Sequence, residues 1–360
     1  MRCDVSNRTV SEIGEHALIS RITARLATPS WVLVGPGDDA AVIRPERGAL
    51  DVLTTDAQVE GIHFDRRFVP PDALGHRALA VNISDLAAMG ASPRAALLSL
   101  VLPGQLEVAV VDGIVDGFIA LAERYRMAVI GGNITRSPRV GSEQAQGPLM
   151  IDVTAIGSVK PRRILTRGGA RPGDDVCVTG TIGGAAVGLK SLIDDVGADL
   201  GVGADLGVGA DLKVGPYDAS EQKYLRPDAR VRAGLLLGRN RAASACIDLS
   251  DGLADGLRQI AAASGVGITV DEAAIPLGDG VADFHRHRGD DPVSAALAGG
   301  EDYELLFTVR PAWHGRLRAV ARLAGDLPIT KIGVVTRDTR LILRTAAGDR
   351  DLPAGFEHFR

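Results

Sequence analysis

The sequence predicts a two-domain fold of the α/β (α+β) class, and three observations carry that prediction. Its 360 residues are too many for one small domain and comfortable for two. Short apolar runs alternate along the whole chain with stretches of helical length and helical spacing. Near the middle a segment rich in Gly, Pro and Arg, KPRRILTRGGARPGDD, interrupts that alternation. A boundary at its start divides the chain into residues 1–158 and residues 159–360. Periodicity leaves parallel and antiparallel sheets equally open.

The elements follow in order. Leu18, Ile22 and Leu26 recur at i, i+4 and i+8 and predict a first helix from Ser11, as N-cap, to about Leu26. The runs WVLVGPGDDAAVI and DVLTTD read as strands that present Asp38, Asp39, Thr54, Thr55 and Asp56 at their ends or turns. Residues 73–89 read as a helix, RAALLSLVLP as a strand and residues 108–126 as a second helix. MAVIGGN reads as a buried strand running into a glycine turn, and PLMIDVTAIGSV as a long strand. In the second half DDVCVTG, ACIDLSDG, GVGITV, YELLFTV and ITKIGVV read as strands with helices between them. Residues 197–214 repeat the hexapeptide GADLGV three times, with Lys213 replacing Gly in the last copy. The copies are too few and too short for a calcium-binding β-roll, so this is read as a surface loop lengthened by duplication.

Composition excludes several function classes. The net charge is −5 and aromatics are 4% of residues, with no basic block interleaved with aromatics, which disfavours nucleic acid as a partner. No apolar run approaches the roughly 20 residues of a membrane span. The N-terminus lacks the apolar core of a secretory signal, so a cytoplasmic location is expected. Cys3, Cys177 and Cys246 form no CxxC pair and are read as incidental thiols. No GxSxG elbow or zinc spacing occurs.

The chemistry lies in dispersed carboxylates. Gly37-Asp38-Asp39, Thr54-Thr55-Asp56, Asn82-Ile-Ser-Asp85 and Asp248-Leu-Ser250-Asp251 each set an Asp beside small hydroxyl, amide or glycine neighbours. Such hard oxygen donors suit magnesium shared with substrate phosphates. Each pair taken alone is equally a turn, because Asp and Gly dominate turns. Asp85 stands out, since it sits in the apolar helical stretch ALAVNISDLAAMGA, where a buried carboxylate has to be paired or metal-bound unless it points to solvent. Asn82 lies one turn before it. The stretch from Gly183 to Ser191, GGAAVGLKS, nearly spells a phosphate-binding loop, but Leu189 separates the second Gly from Lys190. It reads as a strand-to-helix turn, with backbone N–H groups free to touch phosphate. Asp174-Asp175 reads as a turn, and Glu301-Asp302 as a turn or a site.

GDDAAVI, TTD followed by GIHF, ALAVNISDLAAMGASP, VIGGNITR, ILTRGGARPGD, VTGTIGGAAVGL, IDLSDGL and GGEDYELLFTV occur in that order. Together they resemble the thiamine-monophosphate kinase family. Its superfamily includes aminoimidazole ribonucleotide synthetase, selenophosphate synthetase and a hydrogenase-maturation protein. The resemblance runs from about residue 12 to 360, the hexapeptide loop apart.

It implies an N-terminal dimerisation domain that supplies metal ligands and a C-terminal α/β domain that closes over a nucleotide. ATP would phosphorylate thiamine monophosphate to thiamine diphosphate in a homodimer. By motif, Asp39, Thr54, Thr55, Asp56, Asp85, Asn133, Asp248 and Asp251 would hold several magnesium ions. Gly132, Asn133, Arg167 and Ser250 would touch ATP; His63, Glu301 and Phe356 would contact thiamine monophosphate. One position departs from the family: Gly131-Gly132-Asn133 stands where GGD is usual, so a metal site would lack one charge. The resemblance leaves two other readings: a superfamily enzyme with another acceptor, or a nucleotide-binding protein with impaired catalysis.

Overall fold

The computed structural model describes residues 7–138, 146–200 and 217–353, with side chains beyond residue 195 of the middle segment left aside. Phe356 and most of the hexapeptide repeat lie outside the described residues. The chain divides into two compact units. Of the described residues, the first holds those up to Asn82, Pro93–Ser158 and residues 196–200; the second holds Ile83–Ser92, Val159–Asp195 and those from Tyr217 onward.

The first unit opens with α1 (Val10–Ile13) and α2 (Glu15–Thr23). One continuous helix from Ser11 was expected. Instead Thr9 is the N-cap, and its N–H donates to Glu12 Oε2 at 2.6 Å. Gly14, at φ 77° and ψ 163°, takes a conformation that glycine adopts without penalty and breaks the helix there. Arg21 then binds α2 to Asp112 with N···O distances of 2.6–2.9 Å.

β1 (Val32–Val34) and β2 (Val42–Ile43) form a two-stranded antiparallel sheet. β3 (Leu50–Val59), α3 (Pro71–Ala88), β4 (Ser92–Leu102), α4 (Val108–Arg124), β5 (Ala128–Arg136) and β6 (Met150–Val159) follow. The four longer strands make one sheet in the order β3-β6-β4-β5. Burial alternates along β6, with Ile151, Val153 and Ala155 fully buried and Asp152 exposed, so one sheet face is packed and the other open. α3 and α4 touch backbone to backbone. A Cβ at Gly75 would lie 1.8 Å from the Ile114 carbonyl oxygen, and one at Gly117 would lie 1.9 Å from that of Asp72.

α3 ends where Gly90 takes φ 67° and the Ala91 N–H returns to the Leu86 carbonyl at 2.8 Å. Its last turns, from Ile83, group with the second unit. That unit contains β7 (Asp175–Thr179), α5 (Gly184–Leu200), α6 (Ala219–Leu225), α7 (Val231–Asn240), β8 (Ala245–Asp248) and α8 (Leu253–Ser264). After them come β9 (Gly267–Asp271), α9 (Val281–Arg288), α10 (Pro292–Ala298), β10 (Leu305–Val309), α11 (His314–Ala324) and β11 (Ile329–Thr336). The hairpin β12 (Leu341–Thr345) and β13 (Gly348–Asp351), absent from the strands expected above, closes the described chain.

These strands form a seven-stranded sheet in the order β13-β12-β9-β11-β7-β10-β8, antiparallel throughout except for the parallel β12–β9 pair. Every residue of β10 is buried, as a strand covered on both faces requires. Leu253, Leu257 and Ile260 of α8 join Val176, Val178, Ile247 and Leu306 in one core. Cys177 and Cys246 lie inside this sheet as free thiols, and burial pushes that of Cys177 up to about 12. Mixed helix and sheet in both units is the α/β (α+β) architecture expected. Among the described residues no helix is long and apolar enough to cross a membrane.

Candidate active site

The candidate residues fall into two groups, one in each unit. In the first unit a cavity of about 760 Å³ lies among α2, the β1–β2 turn and strands β4, β5 and β6. Asp38, Asp39, Gly132, Asn133 and Asp152 line it. Asp38 and Asp39 sit in the β1–β2 turn, where the Asp39 N–H donates to Asp38 Oδ1 at 2.9 Å. Gly132 and Asn133 were expected in a glycine turn; they lie inside β5, opposite Leu98 and Ser99 of β4. Glycine is required at 132 by close approach, since a Cβ there would fall 1.8 Å from the Leu98 carbonyl oxygen. Asn133 is exposed on the strand.

Thr54, Thr55 and Asp56 lie in the middle of β3 rather than at its end. The strand alternates, so Thr55 faces opposite to its two neighbours. Thr55 Oγ1 donates to the Val153 carbonyl at 3.1 Å and lies 3.4 Å from Asp152 Oδ1. Asp152 was missed by the sequence reading. The signal was present: an acid between Ile151 and Val153, placed by the two-residue period on the open face. His63 follows β3, and its Nδ1 accepts the Val59 N–H at 3.1 Å. That bond fixes the ring and leaves the proton on Nε2.

In the second unit, β8 delivers Asp248, which is 6% exposed. Ser84, near the end of α3, donates its Oγ–H to Asp248 Oδ2 at 2.7 Å. Asp85 is the next residue of that helix and is half-buried. Asn82, one turn earlier, is fully buried; its Nδ2 donates to the Ala78 carbonyl, and its Oδ1 has no hydrogen-bond partner. Ser250 and Asp251 follow β8 in the turn before α8, with Ser250 Oγ 3.3 Å from Asp251 Oδ2.

The Glu301 segment runs beside that turn: the Glu301 N–H donates to the Ser250 carbonyl at 2.7 Å, and the Tyr303 N–H to that of Leu249 at 3.0 Å. Arg167 is exposed in the segment before β7.

Two ambiguous motifs resolve. Asp302 is structural: its carboxylate accepts the Gly183 N–H at 2.6 Å and the Ala185 N–H at 3.2 Å, capping α5. The phosphate reading of the α5 N-terminus is thereby corrected, because those N–H groups are already taken by the chain's own carboxylate. The glycines serve packing. A Cβ at Gly188 would lie 2.1 Å from the Ser220 carbonyl oxygen, so α6 rests directly on the α5 backbone. Lys190 is exposed, as read from the sequence. Asp174 accepts the Arg171 N–H at 3.0 Å and the Ser244 Oγ–H at 2.7 Å, which makes its turn structural too.

Magnesium is implied by the family motifs, and the donor chemistry fits it. The residues are carboxylates, hydroxyls and amides, all hard oxygen donors, and Asn82 Oδ1 is a buried oxygen still lacking a partner. Among the described residues, no three His, Cys, Asp or Glu side chains form a ready-made metal cage. Magnesium tolerates this, because it commonly takes one or two carboxylates and completes its shell with phosphate oxygens and water.

Comparison with known proteins adds independent weight. Residues 37–159 match the N-terminal domain of the AIR synthase related proteins, and residues 171–345 match their C-terminal domain. The thiamine-monophosphate kinase of Bacillus subtilis (strain 168) is 35% identical over 96% of this chain and 99% of its own length. Among solved structures, thiamine-monophosphate kinase from Stenotrophomonas maltophilia K279a matches with a TM-score of 0.74 at 36% identity, covering 91% of this chain and 95% of that one. AaThiL complexed with AMPPCP and TMP matches with a TM-score of 0.71 at 33% identity, covering 97% of this chain and 98% of its own. The chain therefore belongs to the thiamine-monophosphate kinase family of enzymes, built from the two AIR synthase related domains.

Proposed function

We propose that this enzyme transfers the γ-phosphoryl group of ATP to the phosphate of thiamine monophosphate, giving thiamine diphosphate and ADP, by direct in-line displacement at a site holding several magnesium ions. The observation that carries this reading is the match over 97% of the chain to AaThiL complexed with AMPPCP and TMP. Asp39, Thr54, Thr55, Asp56 and Asn133 are assigned to magnesium in the first unit, and Asp85, Asp248 and Asp251 in the second. Gly132, Asn133, Arg167 and Ser250 are assigned to ATP; His63, Glu301 and Phe356 are assigned to thiamine monophosphate. Residues 1–158 would form the metal-binding and dimerisation domain, and residues 159–360 the C-terminal domain.

The chemistry asks little of acid–base groups. A phosphate monoester has a second pKa of about 6, so the attacking oxygen is already ionised near neutral pH. The obstacle is repulsion between two polyanions. Magnesium, when bound, supplies positive charge to the phosphate oxygens. The chain's own part is to hold donor and acceptor in line, with Arg167 placing a fixed cation on the nucleotide. No covalent enzyme intermediate is required. The test is an acceptor screen with a coupled ADP assay: turnover with thiamine monophosphate supports the reading, and turnover only with another acceptor or release of AMP overturns it.

Asn133 offers a carbonyl oxygen where a carboxylate would add charge. Asn133→Asp is expected to lower the magnesium concentration for half-maximal rate several-fold, measured by titrating magnesium at saturating substrates. An unchanged midpoint removes Asn133 from the ligand set.

A homodimer is proposed through the first unit. Leu33 on β1, Val42 on β2, and Leu50 and Leu53 on β3 are large apolar side chains left 55%, 48%, 50% and 66% exposed, the kind of surface a partner subunit would cover. Leu53→Asp is expected to shift the mass measured by light scattering from dimer to monomer. A dimer that persists unchanged would place the interface elsewhere.

A further inference from the structure

We infer that Lys223 is a positioning residue that holds the Glu301 segment in its substrate-binding conformation; this rests on the reading of Glu301 as a contact to thiamine monophosphate. The segment Gly299-Gly300-Glu301-Asp302-Tyr303-Glu304 has an uncommon backbone. Glu301 has φ 68° and Tyr303 φ 49°, so two side-chain-bearing residues on either side of Asp302 occupy the left-handed region. Such a conformation persists only where its surroundings over-determine it.

The surroundings do so from both sides. Toward the Ser250 turn, Glu301 and Tyr303 donate their N–H groups to the carbonyls of Ser250 and Leu249. Gly300 passes so close that a Cβ would lie 2.4 Å from the Ser250 carbonyl oxygen. On the other side, the Asp302 carboxylate, 3% exposed, is fixed by the Gly183 and Ala185 N–H groups. Burial pushes the Asp302 carboxyl up, and the nearby Lys223 ammonium opposes that.

Lys223 Nζ sits 3.1 Å from Asp302 Oδ1 and 3.8 Å from Glu304 Oε1, and it also donates to the Thr181 carbonyl. It is a cation that joins Asp302 and Glu304 of the segment to the α5 turn. Its stem is seated by glycine: a Cβ at Gly184 would meet Lys223 Cδ at 3.0 Å. Its helix, α6, is anchored by the reciprocal cap between Asp218 and Glu221, at 2.8 Å in each direction. The glycines that mimic a phosphate loop thus make room for a lysine from another helix. That lysine stabilises the strained turn from which Glu301 projects.

The test is a double-mutant cycle in the full chain, with ATP and thiamine monophosphate varied separately. Glu301→Gln alone is expected to raise the KM for thiamine monophosphate, and no change would sink the Glu301 reading and the role of Lys223 with it. Lys223→Met is expected to lower kcat/KM for thiamine monophosphate by on the order of 10-fold to 100-fold, mostly through KM, with the KM for ATP little changed. Lys223→Arg should recover much of that loss. In the Glu301→Gln background, Lys223→Met should add little, because the two act through one contact. A fully additive loss, or equal effects on both substrates, overturns the inference while leaving Glu301 in place. If Lys223→Met does not fold, Lys223→Met with Asp302→Asn removes both charges together, and the same criteria apply to the pair.

Discussion

Arg230→Met is expected to destabilise the second unit by about 3–5 kcal/mol, because it strips a buried carboxylate of its two-bond cation and leaves only the Lys223 ammonium, at 3.8 Å, beside it. Glu304 is fully buried, at 0% exposure. Arg230 clasps it with two bonds, Nε to Oε2 at 2.7 Å and Nη2 to Oε1 at 2.6 Å. Thr179 Oγ1 adds a third donor at 2.7 Å. A planar guanidinium meeting a carboxylate in two parallel bonds is a geometry that lysine does not reproduce. At roughly 2–4 °C per kcal/mol for a unit of this size, the melting temperature should fall by roughly 6–20 °C in calorimetry. Replacing Glu304 by methionine as well should restore much of the loss, since the cost lies in the buried charge that has lost its bidentate partner. A shift within experimental error for Arg230→Met would show that the pair is not holding β7, β10 and α7 together.

Asp248→Asn should give the opposite pattern, a large loss of activity with no loss of stability. Asp248 is nearly buried at the end of β8 and accepts the Ser84 Oγ–H. Asparagine keeps the shape and an acceptor oxygen for that hydroxyl while removing the charge, so the fold loses little. A buried carboxylate is costly to desolvate, and its neutral isostere can raise stability. If Asp248 holds magnesium as proposed, the rate should fall by about 10²–10³-fold, the size typical of losing one charge-stabilising group. Equal melting temperature with that rate loss separates a functional acid from a structural one. Unchanged activity would remove Asp248 from the metal ligands.

How much of this was legible in the sequence depended on the element. Strands and helices with clear periodicity, such as β6 and α4, could be read directly. The Gly14 break in the first helix was not legible, because Leu18, Ile22 and Leu26 keep their spacing whether or not the helix begins at Glu15. The GGN stretch looked like a turn, because local preference cannot show that Leu98 approaches from the neighbouring strand. The same limit applied to GGAAVGL, whose glycines answer to α6 and Lys223. Their partners lie 32 and 39 residues further along the chain, at Ser220 and Lys223.

In the candidate site, the acids in turns and strand ends were visible as motifs, and Asp38, Asp39, Gly132 and Asn133 do line one cavity. Asp152 was invisible as a motif and emerged only from the strand's facing. Glu301 and Asp302 are adjacent and chemically alike, and only the capped α5 N-terminus assigns one of them to structure.

Direct transfer of phosphate from ATP to thiamine monophosphate can be followed as it happens. The most direct measurement is a rapid-quench single turnover with ATP labelled in the γ-phosphate, magnesium and thiamine monophosphate. Label is expected to appear as the terminal phosphate of thiamine diphosphate, in step with an equal amount of ADP, with none passing through the protein. Label on the protein that forms and then decays into product, or thiamine diphosphate formed with AMP instead of ADP, would contradict it.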